Sequence, residues 1–336
     1  MNEADLEEEL ARPSPALVAE ATAWGDVVVL GAGGKTGSGI AGMAQRALAQ
    51  AGGDARVRAV SRWSDEDGRA RVEAQGVEIV TADLGDPAAV ADLPDADTVI
   101  FLVGAKFGTA GAPEQAWMTN TVLPAYVAER YPKARIVALS TGNVYGMTTP
   151  VTGGSVETDE PRPDGDYAIT CRGREQVFTH AARTRGTPVA LIRLNYACEP
   201  RYGVIADLAR KLVKGTPIDL TTGAVNVVWQ RYANEVVLRS AGRASNDPFV
   251  LNLTGPETAS VRSIATRLAA RLGVEASFTG YLPETSLLSD ATTCHELFGY
   301  PDRTLGQLID LQAEWLRGGG PLWSKPTKFE RRDGRF

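Results

Sequence analysis

Apolar and polar positions alternate along this chain in two rhythms. Apolar runs at residues 26–30 (DVVVL), 57–60, 77–80, 97–103 (DTVIFLV), 135–139 and 189–193 read as strands. Stretches with helical spacing lie between them, at 40–50, 120–130 and 167–184. Strands of this kind alternating with helices predict a parallel α/β sheet, doubly wound and covered on both faces. After residue 195 the rhythm loosens. Helical stretches at 203–213, 234–244, 261–272 and 305–316, with short strands at 225–229 and 249–253, predict a smaller mixed α/β region packed against the first. Ser14-Pro15 reads as a helix start, with serine as cap and proline in the first turn. Residues 1–13 read as a frayed acidic arm. The tail, 318–336, is rich in Gly, Lys and Arg; it is expected to wrap the surface, to reach a neighbouring subunit or to be disordered.

Composition narrows the function classes. The 336 residues are enough for one large or two modest domains, and 43% hydrophobic with 23% charged residues is ordinary for a soluble globular protein. A formal charge of -6 with interspersed signs gives no basic face, so no nucleic-acid partner is expected. Three cysteines (Cys171, Cys198, Cys294) and two histidines (His180, His295) suggest neither a disulfide framework nor a metal site. The acidic first residues do not read as a secretory signal, and no apolar run reaches the roughly 20 residues of a membrane span. A cytoplasmic protein is expected.

The first strand runs straight into Leu30-Gly31-Ala32-Gly33-Gly34-Lys35-Thr36-Gly37, and a helix follows. Glycine permits the tight turn, lets a pyrophosphate approach the backbone and lets helix pack on strand. The helix start then offers free N–H groups and a positive dipole end. This context predicts a dinucleotide-binding Rossmann domain. The expected division is an N-terminal arm and helix (1–24), the Rossmann domain (25–195), a substrate-binding region (196–317) and the tail (318–336).

The second strand ends in Ser61-Arg62, where NAD binders usually carry an acidic residue for the ribose hydroxyls. An arginine suits a phosphate, so NADP is expected ahead of NAD, with Lys35 and Thr36 in the turn contributing. Arg62 has an alternative reading as a surface residue paired with Asp65, Glu66 or Asp67. Asp83 and Leu84, after the third strand, are expected on the adenine side, and Val103-Gly104 at the end of the fourth strand along the same ligand. Asp83 has an alternative reading as a turn-former.

The fifth strand leads into Ser140-Thr141-Gly142-Asn143-Val144-Tyr145-Gly146, and Asp166-Tyr167-Ala168-Ile169-Thr170-Cys171-Arg172 comes later. With the glycine turn, Arg193-Leu194-Asn195-Tyr196 and Asn252-Leu253-Thr254-Gly255, these segments resemble the extended short-chain dehydrogenase/reductase family, the NAD-dependent epimerase/dehydratase family. The resemblance covers about residues 25–317. It implies that Thr141 and Tyr167 form the catalytic pair, with Tyr167 also against the cofactor and Asn120 near the site. It also implies a hydroxyl proton moved by the tyrosine, and pairing as a homodimer through helices flanking the sheet.

The family places a lysine four residues after the tyrosine, and here that position holds Cys171. A thiol brings no positive charge to lower the tyrosine pKa. Three readings stay open. Another cation replaces the lysine: Arg174, at i+7 on nearly the same helix face, or Lys106 after the fourth strand. The reaction needs less of the tyrosine, as in a dehydration. Or hydride chemistry is lost and the fold only binds ligand. Segments expected to face the substrate are 106–108, Asn143, Asn195-Tyr196, Arg201-Tyr202 and 228–231, with Lys106, Asn143, Asn195, Tyr196, Arg201, Trp229 and Arg231 as the contacts. Such residues suit a small hydroxylated carbonyl or sugar-like compound, neutral or anionic. Trp229 and Arg231 read alternatively as a core residue and a surface ion pair. The leading reading is therefore an oxidoreductase, epimerase or dehydratase, and the competing one a non-redox dinucleotide sensor or scaffold.

Overall fold

A computed structural model describes residues 1–106, 111–325 and 327–334. The segment 107–110, Pro326 and the last two residues lie outside the described set, and with them Phe107 and Gly108, which the sequence places beside the substrate.

Seven parallel strands make the central sheet: β1 (Val27–Leu30), β2 (Val57–Ser61), β3 (Glu78–Thr81), β4 (Thr98–Phe101), β5 (Arg135–Thr141), β6 (Val189–Leu194) and β7 (Phe249–Leu253). Their order is β7-β6-β5-β4-β1-β2-β3. The order reverses between β1 and β4, the place where open α/β sheets form a ligand crevice. Register is in phase at that point: Leu30 pairs with both Val60 and Phe101. Val27 to Leu30 are fully buried. Each such aliphatic side chain contributes roughly 1.5–3 kcal/mol, and only a strand covered on both faces buries four in a row.

The helices that cover the sheet are α1 (Glu3–Leu10), α2 (Pro15–Ala21), α3 (Gly37–Ala51), α4 (Glu66–Glu73), α5 (Pro87–Ala91), α6 (Pro113–Trp117), α7 (Leu123–Arg130) and α8 (Gly165–Arg185). A π-helical turn, Met118–Val122, joins α6 to α7. Beyond β6 come α9 (Val204–Val213), α10 (Gln230–Arg239), α11 (Val261–Leu272), α12 (Thr292–Phe298) and α13 (Leu305–Arg317). Phe101, Phe178 and Leu191 fill one face of the sheet, and Met43, Trp229 and Leu253 belong to the larger core on the other. Among the described residues no helix is long and apolar enough to cross a membrane.

Two features depart from the reading of the sequence, and a third, the tail, follows the first of its expected courses. Residues 3–10 are a helix, not a frayed arm. Asn2 and Asp5 form a reciprocal cap, and Leu6 and Leu10, one turn apart, are buried. The strand at 249–253, expected in the smaller region, is the edge strand β7 of the main sheet, paired with β6 from Phe249↔Ala190 to Leu253↔Leu194. The tail lies on its own chain. The Trp323 amide donates to the Arg201 carbonyl at 2.9 Å, the Thr327 amide and hydroxyl donate to Asp207 Oδ2 at 2.7 and 2.6 Å, and Phe329 is buried. Gly334 reaches the start of α8, where it packs directly against Gly165.

Candidate active site

The glycine turn closes tightly on the sheet. Gly31 has φ +87°, and its amide donates to the Val60 carbonyl at 2.9 Å. A Cβ on Gly37 would stand 2.3 Å from the Ala32 carbonyl oxygen, so only glycine lets α3 start against the turn. One on Gly33 would stand 2.6 Å from Ser61 Oγ. Thr36 makes no side-chain cap to α3, and in its first turn the Gly37 amide donates to the Gly34 carbonyl at 3.2 Å.

In front of the turn is a groove of about 540 Å³ between the C-terminal ends of β2, β3 and β4. Gly31, Gly33 and Gly34 form one wall, Ser61 and Arg62 one end, and Asp83, Leu84, Val103 and Gly104 the rest. These are nine of the expected cofactor contacts, brought together from four separate loops. Arg62 is exposed at the rim. The Asp83 carboxylate also accepts the Gly85 amide at 3.0 Å, so it works as a turn-former within the groove wall. Lys35 and Thr36 line a smaller pocket of about 220 Å³ with Thr141 and Tyr167, Lys35 also lines a separate cavity with Gly33, Gly34 and Glu7, and Gly37 lies buried beneath the turn.

In that pocket Thr141 ends β5. Its hydroxyl oxygen accepts the Asn143 amide at 3.2 Å and the Asn143 carboxamide at 3.0 Å. Tyr167, in the first turn of α8, shares hydrogen bonds with Thr141 and with the Cys171 thiol one turn on. Burial, the largest influence, pushes the Tyr167 pKa far above the ordinary tyrosine value, and Cys171 adds to the rise. The Thr141 hydrogen bond and the charge of Arg174 oppose it. Cys171 itself is buried among Val144, Tyr145 and Tyr167, and burial raises its thiol pKa; it is packed as a small core side chain.

The two candidate cations hold different places. Arg174 is buried, its Nη1 donating to the Leu139 carbonyl at 2.6 Å and its Nη2 to Asn120 Oδ1 at 2.9 Å. It acts on Tyr167 by charge from that fixed position. Lys106 Nζ stands 5.7 Å from the centre of the Tyr167 ring, and burial lowers its pKa to about 8. Asn120 sits in the π-helical turn, a device that re-aims one side chain out of a helix. Its carboxamide accepts the Ala105 amide at 2.8 Å and donates to the Ala105 carbonyl at 2.9 Å, which fixes the backbone next to Lys106.

Of the expected substrate contacts, Lys106, Asn143, Asn195 and Tyr196 line the pocket. Tyr196 has φ +49°, a left-handed conformation that costs a bulky residue energy. The structure removes the other three. Arg201 is buried on Glu199 and Glu7, at 2.9 and 2.6 Å, because two carboxylates compete for its guanidinium far more strongly than an open cleft does. Trp229 is fully buried with the Arg303 guanidinium 5.2 Å from its ring. Arg231 donates to the Arg12 carbonyl at 3.0 Å and to Asp302 at 2.8 Å.

One group behind the site was not anticipated. Glu175 on α8 accepts Arg193 Nε at 3.0 Å and Nη2 at 2.9 Å, Ser140 Oγ at 2.6 Å and Arg172 at 2.8 Å. Burial works against its charge, yet Arg193 first and then Ser140 and Arg172 hold the carboxyl below its ordinary range. The pair locks α8 to β5 and β6 and so sets the distance from Tyr167 to Thr141. An arginine inside the otherwise apolar strand VALIRL is the signal that a buried carboxylate must exist.

Comparisons with known proteins agree with this fold. The chain superposes on UDP-glucose 4-epimerase of Thermotoga maritima, with UDP-glucose, at a TM-score of 0.74 and 19% identity, covering 88% of this chain and 99% of that one. UDP-glucuronic acid 4-epimerase of Bacillus cereus, in complex with NAD, gives 0.73 and 17%, covering 87% and 99%. UDP-glucose 4-epimerase of Thermus thermophilus, also with NAD, gives 0.71 and 20%, over 87% and 99%. At these identities the likeness is one of fold. No curated protein matches the sequence. The sequence family "NAD dependent epimerase/dehydratase" matches residues 27–228, which contain the glycine turn, Thr141, Tyr167 and Asn195. This chain belongs to that family.

Proposed function

We propose that the protein is an enzyme that binds a nicotinamide dinucleotide in the groove at the glycine turn and acts on a small hydroxylated carbonyl or sugar-like substrate. The observation that carries this reading is the hydrogen-bonded pair Thr141–Tyr167 in the same pocket as Lys35 and Thr36 of the turn. The groove suits the ligand: its walls need glycine at positions where a Cβ would collide, and its volume falls in the range of small-molecule sites. A nicotinamide bound there supplies or takes up a hydride at a carbon bearing oxygen.

The side chains divide the remaining work. Tyr167 carries the proton exchanged with a substrate oxygen; burial raises its pKa and weakens it as an acid, and the Thr141 hydrogen bond and the Arg174 charge act against that rise. Thr141 orients the phenol. Arg174 holds positive charge behind it, in the role that the family gives to a lysine where this chain has Cys171. Asn143, Asn195 and Gln230 offer amide groups to hydroxyls of the substrate. Because the family is named for NAD and two of the neighbours above hold NAD, NAD stands first as cofactor. Arg62 at the rim of the groove favours NADP as the second reading. Fluorescence titration with NADH and NADPH, repeated on Arg62→Ala, separates them: a preference for NADPH that disappears in the variant would reverse the order.

Cys171 also supports a second function, a dinucleotide sensor without turnover. Mixing the protein with NAD(H) and a panel of keto-sugars and sugar acids decides between the two. Turnover that is lost in Tyr167→Phe supports the enzyme, and tight binding with no turnover across the panel supports the sensor.

A further inference from the structure

Past α13 the described residues form no helix or strand, yet the chain crosses the site. Its root is fixed: the Gly320 amide donates to the Trp315 carbonyl at 2.9 Å, and Trp315 Nε1 donates to the Pro321 carbonyl at 2.9 Å. The Trp323 ring then lies 6.2 Å from that of Tyr202, and Thr327 lines the small pocket in which Tyr202, Thr141 and Tyr167 stand. The Thr327 hydroxyl donates to Asp207 Oδ2 at 2.6 Å and accepts the Phe329 amide at 3.1 Å, so Thr327 is held in place as a piece of wall. Farther on, Arg332 donates to the Thr285 carbonyl at 2.6 Å and to its hydroxyl at 2.7 Å. Gly334 then meets the start of α8: a Cβ on it would stand 2.4 Å from the carbonyl oxygen of Asp164, the cap of the helix whose first turn carries Tyr167.

We propose that the stretches 321–325 and 327–334 are a strap that closes the Tyr167 pocket and opens to admit substrate, with Asp207 as its latch. The inference rests on the proposed function for what reacts in that pocket. Size supports it: with the strap in place the pocket holds about 220 Å³, below the roughly 300–1,000 Å³ of small-molecule sites, so a sugar-like compound enters only where a wall gives way. The strap is the wall that yields at least cost. Leu139, Thr141 and Leu194 belong to the sheet, and Tyr167 and Gln230 to helices. Among the described residues of the strap, Phe329 is the one buried apolar side chain. The other holds are polar: Asp207 on Thr327, Lys211 on Glu330 and Thr285 on Arg332. A segment fixed mainly by polar contacts opens without unfolding the rest. When closed it keeps water from the reacting groups, and its far end rests on the helix of Tyr167.

The test uses the full chain and begins with native-state hydrogen exchange of the wild type. The Thr327 and Phe329 amides, both hydrogen-bonded, should be released about 100-fold more often than the buried amides of β1. If the two sets exchange together, only on global unfolding, the strap is a fixed wall and the inference is overturned. Bound NADH is then quenched with acrylamide, which reads access to the nicotinamide ring, the end of the cofactor expected beside Tyr167. Asp207→Ala and Arg332→Gln each release one hold, and neither residue lines the pocket. The quenching constant should rise about twofold or more in each variant. NADH affinity should stay within about twofold, since no described residue of the strap lines the dinucleotide groove. If NADH does not bind, the proposed function fails and this inference with it. If NADH binds and both variants quench as the wild type does, the inference alone is overturned. It is overturned in the same way if NADH affinity falls about tenfold, because the strap then serves the dinucleotide. Where a variant fails to fold, the wild-type exchange rates still decide.

Discussion

The Asn120 carboxamide holds both the amide and the carbonyl of Ala105, at 2.8 and 2.9 Å, across 15 residues of sequence. The same Oδ1 also accepts Arg174 Nη2, and Nδ2 donates to Thr170 Oγ1. One side chain thus joins the loop that carries Lys106 to the helix that carries Tyr167. In Asn120→Ala the Ala105 amide and the Arg174 guanidinium lose a buried acceptor. Each such loss costs about 1–3 kcal/mol, so the variant should be about 2–4 kcal/mol less stable in urea unfolding. A change below about 0.5 kcal/mol, the scale of an ordinary surface substitution, would show that water replaces the carboxamide.

Tyr167→Phe removes the phenolic proton and keeps the ring. With the proposed acid/base role, turnover should fall about 10²- to 10⁴-fold, the usual worth of a positioned proton donor. NADH affinity, read by fluorescence, should stay within about twofold, because the groove for the dinucleotide is lined by other residues. Equal losses in turnover and in NADH affinity would mean that the ring, not its proton, matters.

Gly37→Ala places a methyl 2.3 Å from the Ala32 carbonyl oxygen and 2.5 Å from its Cα, so the turn itself must move. NADH affinity should drop at least tenfold. Gly52→Ala is the control: its φ is +70°, but nothing lies within 4 Å of the added Cβ. That variant should cost about 1 kcal/mol of stability from the left-handed backbone and leave the affinity unchanged. Identical titration curves for Gly37→Ala and the wild type would rule out the turn as the binding element.

Breaking the buried pair of Glu175 and Arg193 takes from one buried charge its main partner. Arg193→Met leaves the Glu175 carboxylate on α8 with Ser140 and Arg172 only, at a cost of about 3–5 kcal/mol. Thermal unfolding checks this, and a variant as stable as the wild type would show that the network is not a structural lock.

The unliganded protein should be stabilised by raising the pH from about 7 toward 9, above which the buried thiols Cys198 and Cys294, lifted to about 12 by burial, act in the opposite direction. Lys35 is held at about 7 and Lys106 at about 8, with burial the first cause in each. Between those values and 10.5 these two lysines bind more protons in the unfolded chain than in the folded one, so their contribution grows with pH and is lost as pH falls through 8 and then 7. Tyr131, lifted to about 12 by burial, has the opposite sign: its contribution is full below 10 and is lost as pH climbs toward 12. The groups that face the lysines are Lys325, Lys328, Asp207 and Cys171. Urea unfolding across this range should therefore pass through a maximum, and Lys35→Met should flatten its low-pH limb. A variant with the same slope as the wild type would refute the assignment to Lys35.

Much of this architecture is legible in the sequence because it is written in local patterns. Strands β1 to β6 are short apolar runs, and the glycine turn falls between a strand and a helix. Thr141, Asn143, Tyr167, Lys106, Asn195 and Tyr196 come together in one pocket as the motifs suggested. What was not legible depends on distant partners. Nothing near Arg201 reveals that Glu7, 194 positions away, will take its guanidinium. The run EADLEEEL looks solvated, yet the spacing of Leu6 and Leu10 is enough to dock it. The tail is expected to wrap the surface, but not where: two residues in it, Thr327 and Phe329, decide its course by a paired aspartate and a burial site.

Strand β7 has a consequence for how the chain can be divided. It covers the outer edge of β6 along five residue pairs, from Ala190 to Leu194. A chain cut after residue 195 would keep the glycine turn, Thr141 and Tyr167. It would also present Ala190, Leu191 and Ile192 as an unpaired apolar edge, ready to zip onto the next molecule. The Tyr145 hydroxyl would lose Asn252 Oδ1, its acceptor on β7. The first 195 residues are therefore not a detachable module: a strand from much later in the chain keeps their sheet from polymerising.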